Sequence, residues 1–235
     1  MNKLNKKKIC LICARKGSKG IKKKNIKLFA GKPLIFWTIK FAKELKIFDE
    51  IYLSTDGEDI AKLAKKEGVK VPFLRDKHLS TDNVSEVLVW NDFNNKLNFN
   101  DQNIDFICVL PVTSPLRKKI DIIKALENFK KNRNKLNICI SESKKNPEFN
   151  IVKINKFNNI KRLVETKKLI HTRQNASKYY TITTFCYIYK PSIIFNKNSI
   201  FDMKLSYNLV PTSRSIDIDD IEDFKYAEYK FKLEY

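Results

Sequence analysis

Short apolar runs alternate with amphipathic helical patterns along most of this chain, and that rhythm constrains the fold more than any other feature of the sequence. An apolar run bounded by polar turns suits a strand buried on both faces. A helix between two such runs carries the chain back for parallel pairing. Strands are expected at residues 8–14 (KICLICA), 50–54, 104–110, 137–141, 184–189 and 206–211, with a short one at 69–73. Helices are expected at residues 33–46, 56–66, 84–97, 118–131 and 221–233. Pro33 suits the first turn of its helix, which carries Ile35, Ile39 and Ala42 on one side, and Gly68 stops the next. Pro111 and Pro115 forbid extension of the strand before them.

The rhythm breaks once. Residues 143–178 are polar, with strand-like pieces such as 150–154, and read as an excursion from the core that suits an oligomer arm. No repeat or Gly/Ser linker divides the rest. The expectation is therefore one α/β domain spanning 1–235, its sheet mostly parallel and flanked by helices.

Charge raises a question of partners. A formal net charge of +21 points toward nucleic acid or another polyanion. Lys, Asn, Ile and Phe are all abundant together, however, as AT-rich codon usage would produce, so much of this charge reads as solvated surface. Five scattered cysteines argue against a disulfide framework and suit a reducing cytoplasm. Cys10 and Cys13 are three apart on a strand and point to opposite faces, and His78 and His171 have no partner at zinc spacing. The apolar run after the basic N-terminus ends at Ala14, too short for a signal core or a membrane span, so a cytoplasmic protein is expected.

In open α/β sheets ligands sit beyond the carboxyl ends of the strands, which directs attention to the loops there. After the first strand comes ARKGSKGIKKKN, residues 14–25. Its spacing matches neither common glycine-rich phosphate motif. Its two glycines can bring backbone N–H groups close to a ligand, and Arg15 and Lys19 can hold phosphate oxygens; an ordinary charged turn reads equally well. In SIDID, residues 215–219, Asp217 and Asp219 fall on one face of an extended segment and can share a hard cation. Alternatively, one caps the following helix and the other is solvated. STD at 54–56 and TSPLR at 113–117 read as turns or caps, and Arg173-Gln174-Asn175 with Tyr179 and Tyr180 can meet a sugar or base or be a surface loop.

Taken in order, ARKGSKGIKKKNI with GKPLIFWTI, IYLSTDGEDIAKLAKKEG, LSTDNVSEV, TSPLR, TRQNASKYY and SIDIDDIEDF resemble the acylneuraminate cytidylyltransferases. That CMP-sialic acid synthetase family also activates legionaminic and pseudaminic acids. The resemblance runs from Lys8 to about Tyr229. It implies a Rossmann-like nucleotidyltransferase fold with a small protruding dimerisation element, which fits 143–178, and a homodimer in which the partner's arm helps close the sugar site.

The resemblance also implies roles. Arg15, Gly17, Ser18 and Lys19 would contact the CTP triphosphate, with Lys24 and Asn25 in the same pocket and Thr81 and Asp82 near the nucleotide. Arg117, Arg173, Gln174 and Tyr179 would lie toward the sugar, and Asp217 and Asp219 would hold Mg2+. The implied reaction is attack by the anomeric hydroxyl of a nonulosonic acid on the α-phosphorus of CTP, releasing pyrophosphate, with Arg15, Lys19 and Asp217 as the catalytic set. No nucleic acid is expected to take part in that reaction. No histidine or isolated carboxylate stands out as a general base.

Departures from the pattern fall at Leu110-Pro111-Val112-Thr113, where sialic acid enzymes usually carry L-Q-P-T, and at Thr183-Thr184-Phe185-Cys186, where N-G-A is usual. Asn146-Pro147-Glu148-Phe149 is closer to the legionaminic acid type. These leave the sugar open. So do two rival readings: the same chemistry on 3-deoxy-manno-octulosonate, and a basic RNA-binding module.

Overall fold

The computed structural model describes residues 6–165 and 172–234, apart from the side chain of Arg173. His171 lies outside the described residues. In chain order the strands are β1 (Lys7–Cys13), β2 (Leu28–Phe29), β3 (Lys32–Pro33), β4 (Glu50–Ser54), β5 (Ile104–Val109), β6 (Leu136–Glu142), β7 (Val152–Ile154), β8 (Ile160–Arg162), β9 (Tyr180–Tyr189) and β10 (Leu205–Leu209). The helices are α1 (Leu34–Leu45), α2 (Glu58–Lys66), α3 (Glu86–Lys96), α4 (Lys119–Lys131), the single turn α5 (Pro191–Ile194) and α6 (Ile221–Glu234).

Six strands form one sheet in the order β10-β6-β9-β5-β1-β4. The pairs β1/β4, β1/β5 and β10/β6 are parallel, whereas β9 runs antiparallel between β5 and β6. The sheet is thus Rossmann-like and mostly parallel, with one reversed strand. β2/β3 and β7/β8 are separate antiparallel ribbons, the second projecting within 143–178.

Both faces of the sheet are covered, as continuous apolar strands require. Cys10 and Ile12 of β1 pack on one side with Ile35 and Ile39 of α1, Ile60 of α2, Phe129 of α4 and Phe224 of α6. Ile9 and Leu11 pack on the other side with Val87, Trp90 and Phe93 of α3. Cys13 contacts that second cluster, so Cys10 and Cys13 do point to opposite faces. All five cysteines are free.

Where boundaries differ from expectation, a local bond explains it. α3 begins at Glu86 because Ser85 caps it, its Oγ accepting from Val87 N at 3.2 Å. α2 begins at Glu58, two residues late, because the Asp56 carboxylate turns away to accept Lys16 N at 2.7 Å. The strand expected at 69–73 shrinks to one bridge between Lys70 and Tyr52, since Pro72 has no N–H to offer a ladder. β9 is longer than expected at its start. At the C-terminus, Phe29 packs edge-on against Phe224 and Phe231 at 5.4 and 5.3 Å, fixing α6 and with it the segment that enters α6.

Candidate active site

Loops leaving β1, β5 and β10 meet at the carboxyl ends of their strands, and hydrogen bonds lock them together. After β1 the chain is held by Ala14 N on Ser54 O at 3.0 Å, and the Asn25 amide donates to Arg15 O at 2.8 Å, closing the basic loop on itself. Lys24 reaches across to Ile218 O at 2.5 Å, and Ile218 N donates to Thr113 O at 2.9 Å. Gly20 touches the same segment: a Cβ there would lie 2.0 Å from Asp219 O, so any side chain would push the two loops apart. Its glycine therefore serves loop packing, whereas Gly17 has open space beside it, as a position facing a ligand should.

Behind this junction lies a cavity of about 260 Å3, lined on one side by Arg15, Gly17, Ser18, Lys24, Asn25, Thr81 and Asp82. All seven are positions that the resemblance implied for CTP. Lys19 stands at the rim, exposed. Arg15 and Lys19 both contact the Asp82 carboxylate, at 2.6 and 3.0 Å, and the Lys19 hydrogen bond holds that carboxyl below its ordinary pKa. A carboxylate repels phosphate, so Asp82 acts here as counter-ion to the cationic pair rather than as a phosphate ligand.

Ile218 is fully buried, and the neighbouring Asp217 and Asp219 turn to the opposite side, as strand alternation predicts. Asp217 Oδ1 is buried without a hydrogen-bond partner among the described residues. Burial, and then Asp217, push the Asp219 carboxyl up. Burial lowers the Lys24 ammonium, against the pull of Asp219 and Asp217. An orphaned carboxylate oxygen beside a second carboxylate is a donor set that a hard cation satisfies. No group of three or more His, Cys, Asp or Glu able to hold a metal occurs among the described residues. The pair is therefore a partial site, of the kind magnesium completes with phosphate and water rather than one that zinc would fill. The helix-capping alternative goes elsewhere: Asp220 Oδ1 accepts Glu222 N and Asp223 N, and Asp223 Oδ2 accepts Asp219 N. A partly buried pair, Arg214 on Asp121 at 2.9 and 2.7 Å, fixes the turn that precedes SIDID.

Two cavity residues carry no mark in the sequence. Glu86 opens onto the cavity, yet the walls around it strip enough solvent, with Asp217 adding repulsion against the pull of Arg75, to raise its carboxyl to about 7. In sequence it is an acidic residue at the start of a helix, where the helix dipole alone accounts for it. Arg75 lies in the connection between α2 and α3 and is 6% exposed, its N–H groups on Ser54.

Arg117 is placed apart from the other expected site residues. Its side chain is not at the cavity: it is 2% exposed, donating to Phe185 O at 2.6 Å and to Pro111 O. Cys10, Cys108, Cys139 and Cys186 surround it, and burial lowers its guanidinium to about 10. TSPLR thus ends in an internal brace between the β5 loop and β9. Thr113 and Ser114 tie the same loop to the Thr184 hydroxyl at 3.2 and 3.0 Å.

Gln174 and Tyr179 line a second, separate cavity of about 400 Å3 on the excursion, beside Asn146. Glu148 organises it, accepting from Ser177 N, Ser177 Oγ and the Tyr179 hydroxyl at 3.1, 3.0 and 2.9 Å. The Arg173 side chain lies outside what the structure describes.

Comparisons with known proteins bear on what this arrangement is. The pseudaminic acid cytidylyltransferase of Campylobacter jejuni is 34% identical, over 97% of each chain. The CMP-N,N'-diacetyllegionaminic acid synthase of the same species is 34% identical over 96% of this chain and 95% of its own. Among solved structures, CMP:2-keto-3-deoxy-manno-octonic acid synthetase complexed with CTP superposes with a TM-score of 0.73 at 14% identity, covering 97% of this chain and 100% of that one, a likeness of fold. A model of the cytidylyltransferase family matches residues 9–231. With that match over nearly the whole chain, and relatives of one third identity over nearly their full length, this protein belongs to the cytidylyltransferase family.

Proposed function

We propose that the protein transfers CMP from CTP to the anomeric hydroxyl of a nonulosonic acid, with release of pyrophosphate. The observation that carries this reading is the junction itself: the cationic β1 loop is tied by Lys24 directly to the backbone between the two aspartates of SIDID. Triphosphate and the carboxylate of an acid sugar repel each other, so a site that joins them must supply positive charge where they meet. Arg15 and Lys19 hold the phosphate oxygens, leaving Asp82 as they do so; Gly17 and Ser18 approach through backbone and hydroxyl, and Lys24 and Thr81 complete the wall. Asn25 acts through its bond to Arg15 O. Asp217 and Asp219 would hold Mg2+, which when bound offsets charge on the reacting and leaving phosphates. The chain's own share is positioning.

Gln174, Tyr179 and Arg173 take the sugar, on the excursion. Relatives named for pseudaminic and legionaminic acids favour a nonulosonic acceptor over 3-deoxy-manno-octulosonate, for which the likeness is one of fold. A screen of pyrophosphate release from CTP and Mg2+ across sialic, legionaminic, pseudaminic and octulosonic acids tests this. Release is expected with at least one nonulosonic acid and not with the octulosonic acid; no release with any nonulosonic acid, together with retention on RNA at physiological salt, would move the protein to the nucleic-acid class.

The same reading treats 1–235 as one domain that works as a homodimer through 143–178. Val152, Ile154 and Ile160 on the β7/β8 ribbon, with Phe157 at its turn, are 50, 66, 67 and 71% exposed, more apolar surface than a lone ribbon keeps in water. Light scattering should give twice the chain mass, and Ile154→Glu with Ile160→Glu should shift it to the monomer. A monomeric unmodified protein would sink this part. No helix among the described residues is long and apolar enough to cross a membrane, and five free thiols fit the cytoplasm.

A further inference from the structure

The mouth of the first cavity holds a carboxylate where the reading above places phosphate. Asp82 presents one oxygen to each cation of the loop after β1: Oδ1 lies 2.6 Å from Arg15 Nη2, and Oδ2 lies 3.0 Å from Lys19 Nζ. Two neighbouring oxygens of a phosphate chain would meet the same two groups in the same way. Asp82 itself belongs to a distant part of the chain, the connection between α2 and α3. Among the described residues no other carboxylate pairs with either cation.

A carboxylate in that place weakens a phosphate site if holding the ligand is all the site must do. Shaping the loop is a poor reason for it, because the loop has ties of its own. Asn25 holds Arg15 O at 2.8 Å, Asp56 holds Lys16 N at 2.7 Å and Lys24 reaches Ile218 O at 2.5 Å, none of them through Asp82. What Asp82 adds is charge. The side chains of Arg15, Asp82 and Lys19 are 32, 35 and 78% exposed, and ion pairs so open to water are weak enough to yield to a triphosphate. The segment that carries Asp82 is pinned on both sides, by Asp76 on Lys96 at 2.8 Å before it and by the Ser85 cap of α3 after it. A displaced carboxylate therefore stays close to the two cations, at a high effective concentration.

We propose that Asp82 is a built-in competitor for the phosphate site: the triphosphate displaces its carboxylate from Arg15 and Lys19, and the carboxylate returns to them as pyrophosphate leaves, speeding product release while lowering affinity for every phosphate ligand. This rests on the cytidylyl-transfer reading. Asp82 is then a positioning residue, acting through the two cations and touching no reacting atom. The sign of its effect sets it apart from a support. Removing the charge of a competitor strengthens binding of CTP and pyrophosphate alike, whereas removing a support weakens both.

The test is calorimetric titration of the full chain with CTP and, separately, with inorganic pyrophosphate, both in Mg2+, for the unmodified protein, Asp82→Asn and Asp82→Glu. Asp82→Asn is expected to bind each ligand about 3-fold to 10-fold more tightly, as the loss of two exposed ion pairs allows, and the gain should shrink as added salt screens the charges. Asp82→Glu, which keeps the carboxylate, should stay near the unmodified protein. In turnover, pyrophosphate should inhibit Asp82→Asn at a correspondingly lower concentration. Unchanged or weaker binding of both ligands in Asp82→Asn overturns the proposal, and so does weaker binding of CTP alone, which would make Asp82 a contact of the nucleoside. Pyrophosphate binding that Asp82→Asn strengthens, without CTP turnover on any nonulosonic acid, would keep the competitor and remove the transfer reading. An unmodified protein that binds neither ligand removes both.

Discussion

Replacing Asp217 by Asn is expected to reduce magnesium-dependent pyrophosphate release by at least about 100-fold while leaving the fold intact. The two halves of that result have separate causes. Asp217 Oδ1 makes no hydrogen bond among the described residues, so folding draws little from its charge, and Asn fits the same volume. Removing one of only two carboxylates, however, halves the charge of a partial site that has no third carboxylate among the described residues to take over. Stability should in fact rise slightly, because Asp217 raises the pKa of both Asp219 and Glu86 and its neutralisation relieves that repulsion. Thermal denaturation with and without Mg2+ separates the effects: the unmodified protein should be stabilised by Mg2+ with CTP, and the variant much less. Full activity in Asp217→Asn would remove the metal assignment.

Arg117→Met should destabilise the protein by about 2 to 3 kcal/mol and lower its midpoint of thermal unfolding by roughly 5 to 10 °C. Two buried carbonyls, Phe185 O and Pro111 O, lose their donor. Each orphaned group costs about 1 to 3 kcal/mol. Against that, methionine fills most of the volume and no charge remains buried; the guanidinium's lowered pKa shows that its burial is itself unfavourable. The carbonyl loss is the larger of the two, because a buried acceptor in the β5 loop has no water to turn to. The loop carries Thr113, whose carbonyl holds Ile218 N, so part of the loss should reach the SIDID segment as weakened metal-dependent activity. An unchanged unfolding midpoint would show that Arg117 braces nothing. A selective rise in KM for the acid sugar at unchanged stability would return it to the sugar site.

These two residues also mark what could be read from the sequence. Asp217 and Asp219 were legible because alternation along an extended segment is a local property: with Ile216 and Ile218 turned inward, the carboxylates had to share the other face. The first loop was legible for the same reason, since glycines and cations directly after an apolar strand lie at its carboxyl end whatever the rest of the chain does. Arg117 reads in sequence as a ligand contact because it is conspicuous in a strand-end motif, and only the pairing of β9 with β5 shows that its side chain turns inward to Phe185 O and Pro111 O. Glu86 and Arg75 gave no signal, being an acidic helix start and an arginine in a connection.

The alternation of apolar runs and helical patterns by itself determined an α/β sheet with helices on both faces, the places of most elements and the loops where chemistry collects. Those are consequences of hydrophobic periodicity and of backbone rules at proline, glycine and caps, which act within a few residues. Tertiary structure alone decided that β9 enters the sheet reversed, that Asp82 pairs with Arg15 and Lys19, and that Gly20 must be bare beneath Asp219 O. Each depends on groups distant in the chain whose burial and charge are set by one another. No window of sequence contains both partners.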